Sequence, residues 1–267
     1  AVGSVTIALS GAGNIVAPVG VTLVTMVTGT SVSPIGVLDT PLANATGVVG
    51  AIPVTGWALD DVEVANLFLC RNAVTGESVA PDGRCGGAAQ VYLGDAVFID
   101  DARPDVVAAF PAYPRNYRGG WGFMLLTNML PNQGNGSYSL SAYAMDREGR
   151  IALVGSRIFT CDNANATRPF GAIDTPAQGG TASGASYVNF GWALTPLPKF
   201  IPNDGSTMTV FIDGVSFGNP TYNNFRSDIA TLFPNLNNTN GAIGYRAIDT
   251  TSLSNGMHTI AWTVTDN

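Results

Sequence analysis

Gly36-Val37-Leu38-Asp39-Thr40-Pro41 leads to Gly56-Trp57-Ala58-Leu59, and Gly171-Ala172-Ile173-Asp174-Thr175-Pro176 leads to Gly191-Trp192-Ala193-Leu194. In both copies the Trp stands 18 residues after the Asp. Two more anchors follow in the same order. Arg103-Pro104-Asp105-Val106 with Phe110-Pro111 returns as Arg226-Ser227-Asp228-Ile229 with Phe233-Pro234, and Asn135-Gly136 returns as Asn255-Gly256. Agreement at three separate anchors identifies a tandem repeat.

The pattern inside each repeat is that of strands. Only 12% of the residues are charged, Gly (32) and Pro (16) are plentiful, and Thr, Val and Ser dominate the short apolar stretches. That composition favours strands joined by turns over long amphipathic helices. In the first repeat, strands are expected over residues 50–59, 64–70, 90–99, 122–127, 138–146 and 151–160. Between them, residues 100–120 carry Pro104, Pro111 and Pro114 and should form a long loop with a helical turn near residues 106–110. The second repeat should have strands over residues 185–194, 207–213, 244–248 and 258–265, with a turn at Asp213-Gly214. The fold class expected is all-β: two tandem Ig-like β-sandwich domains, residues 36–162 and 163–267, preceded by a strand extension over residues 1–35. In that extension, residues 4–10 alternate apolar and small or hydroxyl side chains, the period of a strand with one buried face, and a second strand is expected over residues 21–28.

Several function classes are excluded early. Lys199 is the only lysine, the net charge is −7 and the pI about 4.5, so no basic surface offers phosphate contacts and nucleic acid is not an expected partner. The most apolar run, residues 15–27, is broken by Pro18 and Gly20 and is too short to span a bilayer. A chain opening on Ala1-Val2-Gly3-Ser4 is compatible with a removed export signal.

Cys70 and Cys85 flank a turn-rich segment where the first repeat is longer than the second, and they are expected to form a local disulfide. Cys161 then reads as a buried structural thiol. With three cysteines and the single His258 showing none of the usual ligand spacings, no metal and no cofactor are expected. Asn44, Asn135, Asn165 and Asn237 each begin a glycosylation sequon in a turn-like context.

Gly-Xaa-Xaa-Asp-Thr-Pro, Gly-Trp-Ala-Leu, the Arg-Xaa-Asp loop with Phe-Pro, and Asn-Gly before the Trp262 strand together resemble the Ig-like repeat modules of large secreted bacterial surface proteins. The resemblance covers about residues 36–267. It implies an Ig-like fold and an extracellular location, and no defined activity.

The chemistry-bearing residues agree with a non-enzymatic role. His258 occupies the repeat position of Tyr138, which suits a sheet face better than a general base, and no nucleophile accompanies it. Asp100, Asp101 and Asp105 lack the Asp-Xaa-Asp-Xaa-Asp-Gly pattern of a calcium loop, so Arg103 with Asp105, and Arg226 with Asp228, read as repeated loop clamps. Trp57 and Trp192 are expected in the sandwich cores. Tyr113, Tyr117 and Trp121 are expected on an exposed loop, as a surface for stacking on sugars or on a neighbouring subunit.

Two functional readings follow. After Asp146 the first repeat continues through the strand at residues 151–160; after its repeat mate Asp266 the sequence holds only Asn267, so the second sandwich is expected to lack that strand. An open sandwich beside an unassigned N-terminal strand suggests self-assembly into an extracellular filament or layer, with Val5, Ile7 and Leu9 of one subunit inserted into the seam of the next. The alternative is an adhesin or carbohydrate-binding module using the Tyr113–Trp121 loop. An accessory domain of an enzyme is a third reading.

Overall fold

Turn residues cut the chain into short alternating segments, and each repeat folds them into two facing sheets. The computed structural model describes residues 32–267. Val5, Ile7 and Leu9, and the strand expected over residues 21–28, lie outside the described residues.

The first sandwich contains β1 (Ile35–Thr40), β2 (Ala45–Val48), β3 (Ala51–Leu59), β4 (Val64–Asn72), β5 (Gln90–Asp95), β6 (Val97–Phe98), β7 (Gly120–Leu126), β8 (Asn135–Asp146) and β9 (Ile151–Asp162). One sheet has the order β1-β3-β7-β6 and the other β2-β9-β8-β4-β5. Every pairing is antiparallel except β2 with β9. Leu38, Val54, Leu67, Leu69, Leu140 and Phe159 meet between the sheets, each almost wholly removed from water.

The second sandwich contains β10 (Phe170–Thr175), β11 (Tyr187–Leu194), β12 (Met208–Ile212), β13 (Val215–Ser216), β14 (Thr221–Asn224), β15 (Ile243–Ile248) and β16 (Ile260–Val264). Its sheets have the orders β10-β11-β15-β14 and β13-β12-β16. The described chain is therefore all-β, with short helices at Pro104–Ala109 and Ser227–Leu232. The expected turn at Asp213-Gly214 joins β12 to β13, both residues having positive φ (51° and 78°), as a two-residue hairpin of this twist requires.

The repeated motifs turn out to be each other's partners. Arg103 grips Asp105 within its own loop and also reaches Asp39 of the Gly-Xaa-Xaa-Asp-Thr-Pro motif, at 2.7 and 2.5 Å. Arg226 does the same with Asp228 and Asp174. The two tryptophans require a correction, because they are not between the sheets. With period-2 alternation, Gly56 and Ala58 face inward on β3 and Trp57 faces outward, where Phe110 at the helix end covers it with ring centroids 5.0 Å apart. Trp192 lies outward on β11 in the same way, against Phe233 (5.4 Å) and Phe170 (6.0 Å). Each repeat thus straps a loop and helix onto the outer face of one sheet, with an Arg clamp and an aromatic plug.

The sandwiches meet through that outer layer. Leu126 of β7 joins the cluster around Trp192, and the Gln178 amide exchanges two hydrogen bonds with the Met124 backbone (2.5 and 3.0 Å), standing in for a strand partner on β7. Cys70 of β4 and Cys85 are joined in a disulfide across Cα atoms 6.0 Å apart. Closing a loop of this length contributes about 3 kcal/mol in the chain-entropy account. The Cys161 thiol is buried on β9, and burial pushes its pKa up to about 11, so it stays protonated and inert at neutral pH.

Candidate functional site: the open edge of the second sandwich

β16 repeats β8, but its surroundings differ. In the first sandwich β8 lies between β4 and β9, and β9 also covers β1: a methyl group added at Gly155 of β9 would stand 2.6 Å from Leu38 Cβ. In the second sandwich β16 pairs with β12 on one side and has no strand on the other among the described residues. Among the described residues β16 is an edge strand.

Side-chain burial records its consequence. On β8, the inward residues Leu140, Ala142 and Ala144 are at most 1% exposed; their repeat mates Ile260, Trp262 and Val264 are only half-buried, between exposed Ala261 and Thr263. Across the seam Leu38 is fully buried, whereas its mate Ile173 on β10 is half-buried. A row of apolar side chains therefore lines a seam that no strand of the described residues covers.

Polar groups tailor the floor of the groove. Buried Asn189 takes the place of core Val54, accepts from Trp262 Nε1 (2.7 Å) and donates to the Thr175 carbonyl (2.6 Å). The large side chain has also changed strands. In the first sandwich Trp121 on β7 fills the core opposite Ala142, while in the second the mate of Trp121 is Gly244 and the mate of Ala142 is Trp262, whose ring lies over Gly244. With no counterpart of β9 among the described residues, Trp262 forms the floor of the seam and is only partly covered.

The ends of β16 are pinned. Asp266 accepts from the Thr195 hydroxyl (2.6 Å) and pairs with Lys199 Nζ (3.0 Å); burial acts to raise its pKa, but these two partners outweigh it and hold the carboxyl below the usual range. At the other end His258 Nδ1 lies 2.6 Å from Asp213 Oδ2 and its Nε2 2.7 Å from the Ser254 carbonyl. The Asp213 carboxylate, and then the Ser254 carbonyl, raise the His258 pKa above 6.5, and His258 in turn holds Asp213 below 3.8. The raised imidazole contributes fully below its unfolded pKa and loses its contribution as pH rises through the folded one; the depressed carboxyl contributes above its unfolded pKa and loses that as pH falls. The difference in melting temperature between the protein and His258→Gln is therefore expected to peak near about pH 5 and to shrink steadily by about pH 9. A difference that is flat across this range would remove the clamp.

The aromatic loop is a different surface from the one expected. Tyr117 is exposed and Tyr113 half-buried with its ring edge-on to Phe110, but Trp121 is 2% exposed on β7 and must be withdrawn from the contact surface. The strand begins at Gly120, two residues earlier than the loop composition suggested, and the pairing of Trp121 with Gly56 aims the indole between the sheets. Among the sequons, Asn44, Asn165 and Asn237 are exposed and Asn135 half-buried; the Asn237 amide donates to the Pro198 and Lys199 carbonyls, and the Thr239 hydroxyl of its sequon is buried against the Phe233 carbonyl.

No family model matches the chain, and no curated protein matches it. Among solved structures it is similar to the fibronectin(III)-like modules of Clostridium thermocellum CbhA, at 12% identity and a TM-score of 0.28 over 87% of this chain and 86% of that one. A superposition this loose carries no argument about fold or activity. Among the described residues no helix is long and apolar enough to cross a membrane.

Proposed function

We propose that the chain is a non-enzymatic subunit of an exported filament or surface layer, in which the seam beside β16 is filled by an N-terminal strand from a neighbouring copy. The supporting observation is the half-buried row Ile260, Trp262 and Val264 beside an edge that no strand of the described residues pairs with.

The proposed occupant matches the groove in chemistry and period. Residues 1–31 contain no charged side chain, and within them Val5, Ile7 and Leu9 alternate with Thr6 and Ala8, so one face of the strand would enter the seam while its backbone pairs with β16. Burying each of these side chains contributes about 1.5–3 kcal/mol. Donor and gap come from different segments of the chain, so the contact would be head-to-tail and need not close, the geometry of a filament. The resemblance to secreted surface modules, and a disulfide suited to an oxidising compartment, favour an extracellular setting.

Light scattering and negative-stain microscopy of the full chain, beside the chain lacking residues 1–14, test the proposal. The full chain should form rods and the truncated chain monomers, and a peptide of residues 1–14 should bind the truncated chain one to one. Monomers in both samples, or rods in both, would end the strand-donation reading; glycan binding lost in Tyr117→Ala would then favour the adhesin.

A further inference from the structure

Where β3 and β8 end, the first sandwich gathers four carboxylates. Asp60 follows β3, is 2% exposed, and uses Oδ2 to accept from the Val62 and Glu63 backbone N–H groups (2.9 and 3.2 Å). Asp146 closes β8, is 1% exposed, and uses Oδ1 to accept from the Glu148 and Arg150 N–H groups, both at 2.8 Å. Each has an oxygen left over. Asp60 Oδ1, Asp146 Oδ2 and Glu148 Oε2 are all buried without a hydrogen-bond partner. One carboxylate oxygen from each of Asp60, Asp61 and Glu148 lies within 4.8 Å of the other two. Asp61 Oδ1 accepts a long bond from the Val32 N–H (3.4 Å).

Among the described residues no ion pair involves any of the four; the neighbouring Arg115, Arg118 and Arg147 are all drawn to Glu63 instead, at 2.6, 2.8 and 3.0 Å. Buried carboxylate oxygens without donors are costly, and like charges this close add to the cost, so such a cluster calls for a cation. Burial, with the Asp146 and Asp61 charges adding to it, raises the Asp60 pKa.

The second sandwich shows how the same place is neutralised when the acids are gone. The repeat mate of Asp60 is Thr195, that of Asp61 is Pro196, and that of Asp146 is Asp266. There the threonine hydroxyl donates to the aspartate, and the ammonium of the chain's only lysine, Lys199, sits 3.0 Å from its other oxygen. One repeat carries a built-in cation at the end of its β3 and β8 counterparts; the other has two extra acids and a glutamate.

We propose that Asp60, Asp61 and Glu148, backed by Asp146, hold a calcium ion that serves the first sandwich as the Lys199 ammonium serves the second. The ligand set is all oxygen and mostly anionic, which suits a hard cation. Calcium takes six to eight oxygens in a flexible geometry, whereas magnesium demands a near-ideal octahedron, so carboxylates gathered from two strand ends and a turn favour calcium. Water completes the six to eight oxygens, since Asp61 keeps the site open to solvent.

Calorimetric titration of the chelator-treated full chain with calcium chloride, paired with thermal unfolding in calcium and in chelator, tests this. One calcium per chain is expected, with the first sandwich melting roughly 5 °C or more higher at a hundredfold excess over Kd. Asp60→Asn with Glu148→Gln should abolish both signals, and the single Glu148→Gln, at a half-buried position, should weaken binding at least tenfold should the double variant fold poorly. Asp100→Asn, an acid of the neighbouring loop, should leave the response intact. No heat and no melting shift in the unaltered chain, an unchanged response in the variants, or an equal response to magnesium would overturn the assignment.

Discussion

Gly56→Ala is expected to cost the first sandwich about 3–5 kcal/mol, a loss usual for a large core truncation and far above that of an ordinary glycine-to-alanine change in a strand. Gly56 lies on β3 between β1 and β7, facing inward. A Cβ there would stand 2.1 Å from the Val37 carbonyl oxygen and 2.4 Å from Trp121 Cζ2. Neither neighbour can yield at low cost. Val37 belongs to the β1–β3 ladder, so moving its carbonyl breaks strand pairing, and the Trp121 indole is enclosed between the sheets. Gly122→Ala on the adjacent strand provides the control, because its Cβ would meet nothing nearer than 3.8 Å. That change should fall within about 0.5 kcal/mol of neutral. Urea unfolding of both variants checks the pair; equal effects would mean that close approach at Gly56 is not what the Gly-Trp-Ala-Leu motif preserves.

Much of this architecture was legible in the repeat. Alternation placed β3, β4, β7, β8, β9, β11, β12, β15 and β16 within a few residues of their observed bounds, because each has one buried face and a turn at either end. β1 and β10 escaped notice as strands, since Gly36 and Asp39, and Gly171 and Asp174, interrupt any apolar rhythm. Those interruptions are functional in the fold: the aspartates face the arginine clamps, and the glycines make room for the backbone of the neighbouring strand, where a Cβ at Gly36 would meet the Trp57 carbonyl at 2.3 Å. Sequence identified the motifs without showing that they are partners, because spacing along a chain carries no information about which sheet face a residue occupies once the face is covered by a loop. Trp57 and Trp121 illustrate the limit from both sides. The tryptophan in a strand faces outward under Phe110, and the tryptophan beside a glycine-rich loop fills the core. The carboxylate cluster was hidden for a related reason: Asp60 and Asp146 are far apart in sequence, and only the packing of the β3 and β8 ends brings them together.

The outer aromatic layer carries the second large effect, Trp192→Ala, expected to lower the stability of the second sandwich by about 3–5 kcal/mol. Trp192 is 3% exposed and closes a triangle with Phe170 and Phe233, whose rings are themselves 5.2 Å apart. Leu126 of the first sandwich packs into the same cluster, so truncation leaves a cavity at the junction as well as under the helix. Trp57→Ala should cost distinctly less, about 1–2 kcal/mol, since Trp57 is only half-buried and Phe110 is its sole aromatic neighbour within the strap. The comparison isolates the layer from the sandwich interior: both tryptophans occupy the same repeat position, and neither touches the inter-sheet core. The second sandwich also depends more on this layer, because within its inner core Trp262 and Val264, packed against Ala193, Ile201, Met208 and Tyr222, are only half-covered. Filling the seam with the peptide of residues 1–14 should then restore part of the stability lost in Trp192→Ala, by adding apolar contacts on the inner face while the outer defect remains. Unfolding followed by hydrogen exchange, read separately over β11 and β3, distinguishes the two tryptophans; equal losses would mean that the outer layer contributes alike to both repeats and that the open seam leaves the second sandwich no weaker than the first.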